Sequence, residues 1–202
     1  MLRATHVAPR SILDCGCGGG LLAYMFANQY GVPTVGLDLA ESSIARAREK
    51  YVHDMPSFKC GVLQDVEDHA FDLGLMFDVF EHVEDYIAIL RIARTKAPKW
   101  LFNIPMDMTV ASLLQGSYMR MREGVGHLHY FSEASAIATL ETAGFQIIDS
   151  AFANKVPHEL SKGVTLGKIL TGLPQQLLFK LNPHLSVLIL GGASLMVLAD
   201  SN

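Results

Sequence analysis

Residues 11–20, SILDCGCGGG, decide the fold together with residues 35–40, VGLDLA. Each stretch is a short apolar run that ends in an acid, Asp14 in the first and Asp38 in the second. Glycines follow the first acid at alternate positions: Gly16, Gly18 and Gly20. Residues without Cβ let backbone amides approach a ligand closely, and the next helix offers unpaired amides to an anion. This layout is typical of a nucleotide pocket at the carboxyl edge of a parallel sheet.

The spacing of the glycines discriminates between nucleotides. The dinucleotide fingerprint G-x-G-x-x-G/A requires glycine or alanine five residues after Gly16, where this chain has Leu21. The pattern D-x-G-x-G-x-G is filled at every position, from Asp14 to Gly20. It resembles the first motif of the class I methyltransferases that use S-adenosylmethionine.

Composition narrows the class of protein further. A chain of 202 residues fits a single domain over residues 1–202, and a hydrophobic content of 50% suits a buried parallel sheet. The net charge of −4 does not indicate a nucleic-acid-binding surface, so we expect no nucleic-acid partner. The three cysteines, Cys15, Cys17 and Cys60, form neither a disulfide framework nor a metal-binding spacing. We therefore expect no metal site and a reducing, cytoplasmic location.

Apolar runs alternate with helical patterns along the chain, which indicates βαβ units and a parallel sheet. Strands are predicted at residues 11–15, 33–37, 58–63, 71–77, 99–104, 145–152 and 193–199. Helices are predicted at residues 21–30, 41–51 and 83–95, and from the N-cap Ser132 to Gly144.

Two segments interrupt this alternation. Residues 106–131 form a long connection that contains HLHYF, and connections of this length are usually functional. Residues 154–184 carry net charge +3, whereas the remainder of the chain carries −7, and their leucines recur at helical spacing. We expect this second segment to form a helical cap over the pocket. The alternative is an amphipathic surface that rests on an anionic membrane.

The resemblance extends over residues 11–152 and includes FDLGLMFDVFEHVED and GHLHYFSEASAIATLETAGF. The combination is similar to the small-molecule branch of the class I methyltransferases, which includes quinone-biosynthesis enzymes. It implies an α/β, doubly wound, Rossmann-like sheet of seven strands in the order 3-2-1-4-5-7-6, with the last strand antiparallel. It also implies S-adenosylmethionine as cofactor and a small, rather apolar methyl acceptor. Many relatives close the pocket with helices before the first strand, and only ten residues precede that strand here. Closure is therefore expected from the two long segments, from a second subunit in a homodimer, or from residues beyond this sequence.

The resemblance also assigns cofactor contacts. It places the glycine loop and Asp14 at the methionine portion, Asp38 at the ribose and Asp65 at the adenine. Each acid has a simpler alternative, since Asp38 could cap a helix and Asp65 could lie in a solvated loop. The complete predicted set is Asp14, Gly16, Gly18, Gly20, Asp38, Leu39, Asp65, Val66, Phe77, Asp78 and His82.

His127 and His129 are the candidate general bases, because histidine exchanges a proton near neutral pH. His129 is favoured because it is closer to the helix that begins at Ser132. The alternative is that both histidines are structural. The function predicted from the sequence is S-adenosylmethionine-dependent methyl transfer by in-line displacement. A non-catalytic cofactor-binding interaction module remains an alternative, as does an NAD-dependent oxidoreductase, which Leu21 disfavours.

Overall fold

The computed structural model describes residues 1, 2, 5, 7–52, 55–154 and 175–201. Within these residues the strands are β1 (Ile12–Cys15), β2 (Thr34–Asp38), β3 (Ser57–Cys60), β4 (Leu73–Phe77), β5 (Lys99–Pro105), β6 (Gln146–Asn154) and β7 (Ala193–Asp200). The α-helices with both ends in the described residues are α1 (Leu21–Tyr30), α2 (Glu41–Lys50), α3 (Tyr86–Lys96), α4 (Val110–Leu114), α5 (Ser117–Val125), α6 (Glu133–Ala143) and α7 (Pro183–Leu190). Short 3-10 helices lie at Leu63–Asp65 and Phe80–His82.

The strands form one seven-stranded sheet in the order β3-β2-β1-β4-β5-β7-β6. The first five strands run parallel, and β7 inserts antiparallel between β5 and β6. The predicted strand order is therefore confirmed. Because β1 to β5 are parallel, their carboxyl ends lie at one edge of the sheet, and the two acids predicted at strand ends lie there on neighbouring strands.

Apolar side chains cover both faces of the sheet. One cluster packs the sheet against α3 and α6, with Leu90 and Leu140 completely buried. The other cluster packs Ile12 and Leu75 against residues of α1. Gly74 in β4 leaves room for Trp100, since a Cβ at that position would lie 2.4 Å from the indole ring. Burial on both faces explains why the strands read as continuous apolar runs.

Local signals set the helix ends. Helix α1 follows Gly20 and ends at Gly31, both in the left-handed region with φ of 80° and 65°. Helix α6 begins after Ser132, whose side chain accepts a hydrogen bond from the amide of Ser135, and ends at Gly144 with φ of 101°. The predictions for Ser132 and Gly144 are confirmed. Strand β3 is shorter than predicted, because the chain turns at Gly61 into a 3-10 helix at Leu63–Asp65.

The two interrupting segments have different outcomes. Residues 106–131 are less irregular than predicted, because they contain α4, which Thr109 caps, and α5, which lies between Gly116 and Gly126. Most of the predicted cap at residues 154–184 lies outside the described residues. In its described part, residues 175–181 are helical and precede α7. Among the described helices, none combines the length and apolar character needed to cross a membrane.

Candidate active site

The glycine loop between β1 and α1 has a backbone that glycine alone adopts readily. Gly16, Gly18 and Gly20 have φ of 75°, 51° and 80°. A Cβ on Gly16 would lie 2.4 Å from Cγ2 of Val79, whereas a Cβ on Gly18 would meet no atom within 4 Å. The loop is therefore packed against the protein at Gly16 and open at Gly18.

Asp38 at the end of β2 holds this loop in place. Its Oδ2 accepts a hydrogen bond from the Gly18 amide at 2.8 Å, and its Oδ1 accepts one from the Ala40 amide at 2.8 Å. A carboxylate has about four lone-pair positions, so both oxygens can accept further hydrogen bonds. The acid thus joins β1 to β2 and keeps acceptor positions for a ligand.

A cavity of about 550 Å³ opens at this edge of the sheet. Its wall combines Gly16, residues 37–39 at the end of β2, and residues 61–64 after β3. The opposite wall consists of residues from the end of β4 and from α3, namely Asp78, Val79, His82, Val83, Asp85, Ala88, Ile89 and Ile92. The volume lies in the range of small-molecule and cofactor pockets, and most of the wall is apolar.

Asp78 marks the β4 end of the cavity with a strained backbone. Its φ is 52°, in the left-handed region that residues with a side chain seldom adopt. Two hydrogen bonds to Asn103 of β5 stabilise this conformation: the Asp78 amide donates to the Asn103 carbonyl at 3.0 Å, and Asn103 Nδ2 donates to Asp78 Oδ1 at 2.9 Å. Such strain is common at ligand sites, where surrounding contacts maintain it.

A family model described as a methyltransferase domain matches residues 2–150 of this chain. The chain belongs to this methyltransferase-domain family. A ubiquinone biosynthesis O-methyltransferase of Chromobacterium violaceum is 32% identical over 122 residues, which are 55% of this chain and 51% of that protein. The chain thus spans about half the length, or less, of the curated relatives it matches.

Solved structures share the fold. The magnesium protoporphyrin IX methyltransferase of Synechocystis PCC 6803 with bound S-adenosylhomocysteine superposes with a TM-score of 0.65 at 18% identity, over 98% of this chain and 78% of that one. An S-adenosylmethionine-dependent methyltransferase of Mesorhizobium loti gives a TM-score of 0.62 at 20% identity, over 98% and 95% of the two chains. At these identities the likeness establishes the fold.

Five of the predicted cofactor residues line the cavity, namely Gly16, Asp38, Leu39, Asp78 and His82. Gly18 and Gly20 belong to the same loop but do not line the cavity. Asp65 is exposed and its Oδ2 accepts a hydrogen bond from the Val62 amide at 3.2 Å. Val66 packs against the core, and its carbonyl accepts a hydrogen bond from Lys96 Nζ at 2.7 Å. The binding roles of these residues remain predictions.

Phe77 lies away from the cavity wall. Its side chain packs in the apolar cluster that also contains Leu22 and Phe26 of α1, on the sheet face opposite α3. Successive side chains along a strand point to opposite faces of the sheet, so Asp78 reaches the cavity and Phe77 does not.

Asp14 is buried behind the glycine loop and does not line the cavity. Only 1% of the residue is exposed, and neither carboxylate oxygen makes a hydrogen bond of good geometry to a described residue. Burial raises the pKa of Asp14 from 3.8 to about 7; a weak interaction with the Ala23 amide opposes this shift and the charge of Asp38 adds to it. A positive charge placed next to Asp14 would lower this pKa and relieve the cost of burying its charged form.

The two candidate histidines have different surroundings. His127 Nδ1 lies 2.6 Å from Asp107 Oδ2, whereas His129 Nε2 lies 3.0 Å from the Val83 carbonyl oxygen and the His129 ring packs on Tyr86. The His127 ring also meets His82, a cavity residue, edge to face with centroids 4.8 Å apart. A carboxylate stabilises a protonated imidazole more than a carbonyl does. Of the two histidines, His127 is the one paired with a carboxylate, and the base role of either residue remains a prediction.

A cluster of titratable groups lies where HLHYF meets the cavity. One nitrogen or oxygen atom from each of Glu81, His82 and His127 lies within 4.8 Å of the other two. Backbone contacts hold the cluster together, since the Glu81 carbonyl accepts from the amides of Leu128 and His129 at 2.8 and 3.1 Å. Three such atoms could ligate a cation, and the prediction of no metal site stays untested.

The sequence did not identify Asp107 or Asn103 as site residues. Both follow from β5: Asn103 lies within the strand, and Asp107 lies two residues after its end. A polar residue between Met106 and Met108, directly after a buried strand, was the available signal for Asp107.

Proposed function

We propose that this domain binds S-adenosylmethionine and directs transfer of its methyl group to a hydroxyl of a small, apolar acceptor. The observation that carries the proposal is the cavity of about 550 Å³ in which Gly16, Asp38 and Asp78 converge at the carboxyl edge of the sheet. Membership of the methyltransferase-domain family and neighbours solved with S-adenosylhomocysteine or S-adenosylmethionine support it.

The residues present fit this cofactor. The open side of Gly18 leaves room for ligand atoms beside a glycine backbone, and Asp38 retains acceptor positions for ribose hydroxyls. Asp14 is a buried carboxyl that a cationic ligand would stabilise in its charged form. When bound, S-adenosylmethionine supplies a methyl group activated by a sulfonium. The protein supplies orientation, which is worth roughly 7 to 11 kcal/mol of barrier.

A hydroxyl acceptor calls for a general base, and His127 fills that role. Its Nδ1 donates to Asp107, which leaves Nε2 to accept the proton. The acceptor class follows from the relatives, whose names specify O-methylation in ubiquinone biosynthesis. Phenols and catechols are therefore the first acceptors to test.

Calorimetry and methyl transfer test this function. We expect heat on titration with S-adenosylhomocysteine and none with NADH; the reverse would support the oxidoreductase alternative. Labelled S-adenosylmethionine should transfer its methyl group to at least one compound in a panel of catechols and cell metabolites. Binding without transfer to any compound would support the interaction-module alternative.

His127→Gln provides the residue-level test. It should lower turnover by about 10²- to 10⁴-fold, the usual contribution of a general base, while S-adenosylhomocysteine affinity stays within about twofold. An unchanged turnover would remove His127 from the mechanism.

Three further proposals concern the setting of the enzyme: a cytoplasmic location, a homodimer, and a helical cap at residues 154–184, with membrane-surface contact through the same residues as its alternative. The homodimer and the membrane contact can be separated with the same sample. Sedimentation equilibrium measures the oligomeric state, and co-sedimentation with anionic vesicles measures membrane contact.

A further inference from the structure

We propose that Asp107 is a positioning residue that holds His127 in the tautomer with its proton on Nδ1 and its basic lone pair on Nε2. The inference rests on the proposed function for its consequence in turnover. Its structural content, the tautomer of one imidazole, stands independently of any acceptor.

The geometry of the pair carries the inference. His127 Nδ1 and Asp107 Oδ2 are 2.6 Å apart, shorter than an ordinary neutral hydrogen bond. Their side chains are only 13% and 18% exposed, so water competes weakly for either group. An ionised carboxylate only accepts hydrogen bonds, which places the imidazole proton on Nδ1.

The backbone fixes both partners from separate parts of the fold. Next to Asp107, Met106 is 3% exposed and its amide donates to the Ala193 carbonyl of β7 at 3.2 Å. The amide of Met108 donates to the Phe131 carbonyl at 3.0 Å. Met106 and Met108 line a second, apolar cavity of about 390 Å³, whereas Asp107 contacts His127. The acid is thus directed by the strand that precedes it.

His127 is held from the opposite side. The Gly126 carbonyl, one residue before it, lies 3.0 Å from Nδ1 of His82, and Tyr130 Oη donates to the His127 carbonyl at 3.2 Å. Among the described residues, the titratable groups that face the imidazole are Asp107, Glu81, His82 and, through the backbone, Tyr130. A ring confined in this way loses little entropy when it orients toward a substrate.

The Asp107–His127 pair supports methyl transfer to a hydroxyl by accepting the hydroxyl proton. The acceptor oxygen forms a bond to the methyl carbon while the carbon–sulfur bond breaks and its electron pair returns to sulfur. The hydroxyl proton passes to Nε2 of His127, and the imidazolium is stabilised by Asp107, which remains ionised. The proton then leaves to solvent, and S-adenosylhomocysteine and the methyl ether are the products.

Nitrogen NMR tests the tautomer without an acceptor. In protein labelled with ¹⁵N-histidine, with His127 assigned from the His127→Gln spectrum, the neutral imidazole of the parent should show a protonated Nδ1 and an unprotonated Nε2. Asp107→Asn should shift His127 toward mixed tautomers. Asp149→Asn, which makes the same change in β6, should leave the His127 signals unchanged. An unaltered His127 tautomer in Asp107→Asn would overturn the proposal.

Turnover then separates positioning from a structural role. Asp107→Asn and Asp107→Ala should both lower kcat by about 10- to 1,000-fold, within the contribution of a general base, with KM and S-adenosylhomocysteine affinity near the parent values. If Asp107 served only to hold the loop, asparagine would preserve turnover and alanine would raise KM, and that pattern would refute the proposal.

Two outcomes distinguish this inference from the function on which it rests. A tautomer shift in Asp107→Asn with no methyl transfer by the parent protein would preserve the pairing and reject the proposed function. Methyl transfer that EDTA abolishes and a divalent cation restores would identify Nε2 as a metal ligand and overturn the base role.

Discussion

Replacing Asp38 by alanine tests whether this carboxylate binds the cofactor ribose or serves only the protein. In the structure its two oxygens already accept hydrogen bonds from the amides of Gly18 and Ala40, each at 2.8 Å. Ribose hydroxyls would add to these bonds at the remaining lone pairs. The substitution therefore has two effects, loss of the ribose contact and release of the Gly18 amide.

The expected magnitude follows from the charge of the acceptor. A hydrogen bond to a charged group contributes about 1.5 to 3 kcal/mol, so loss of the ribose contact should weaken S-adenosylhomocysteine binding by about 10- to 150-fold. Release of the Gly18 amide loosens the glycine loop and lowers the affinity further. A single affinity measurement would not distinguish this loop effect from loss of the ribose contact.

A cycle with two ligands separates them. Calorimetry would compare S-adenosylhomocysteine with its 2′-deoxyribose analogue on the parent and on Asp38→Ala. The parent should bind the deoxy analogue about 10- to 150-fold more weakly, whereas the variant should discriminate less than about threefold. The loop effect cancels because both ligands experience it. If the parent and Asp38→Ala discriminated equally between the two ligands, the ribose assignment would be refuted. Asp65→Ala, which removes an acid after the neighbouring strand, is the control and should discriminate between the ligands as the parent does.

Two further predictions concern the protein behind the pocket. Because burial raises the pKa of Asp14 from 3.8 to about 7, the folded state retains a proton that the unfolded chain releases. The free energy of unfolding should therefore fall as pH rises from about 4 to 7, and Asp14→Asn should remove most of this dependence in urea titrations; a slope equal to that of the parent would contradict it. Gly16→Ala should weaken S-adenosylhomocysteine binding more than Gly18→Ala, because the new Cβ would lie 2.4 Å from Val79, and Val79→Ala should restore part of the loss. If Val79→Ala restored none of the lost affinity, the contact between the new Cβ and Val79 would not be the cause of the loss.

Much of the fold could be predicted because its signals are local or topological. Gly31 and Gly144 end their helices in the left-handed region, and Ser132 caps α6 with its side chain. Strand order follows from the family resemblance, which implies the arrangement 3-2-1-4-5-7-6. The end of β3 was predicted too late because β3 pairs only with β2 and hence has fewer contacts that extend it.

The candidate site was predictable at strand ends and less so where the backbone departs from regular geometry. The acids that end β1 and β2 were found from the sequence, but the bond from Gly18 to Asp38 was not. The positive φ of Asp78 is stabilised by two hydrogen bonds with Asn103 of a neighbouring strand. A conformation maintained by another strand leaves no trace in the local pattern.

The choice between the two histidines shows the same limit and also suggests a remedy. Proximity in sequence to α6 favoured His129, and which histidine acts as the base stays a prediction. The structure adds one difference between them, because Nδ1 of His127 meets a carboxylate that lies 20 residues earlier in the chain. The acid could have been found by asking which polar side chain stands between apolar neighbours where a buried strand ends at the ligand edge. Met106, Asp107 and Met108 meet that criterion, because the methionines line an apolar cavity and the carboxylate between them contacts His127 instead.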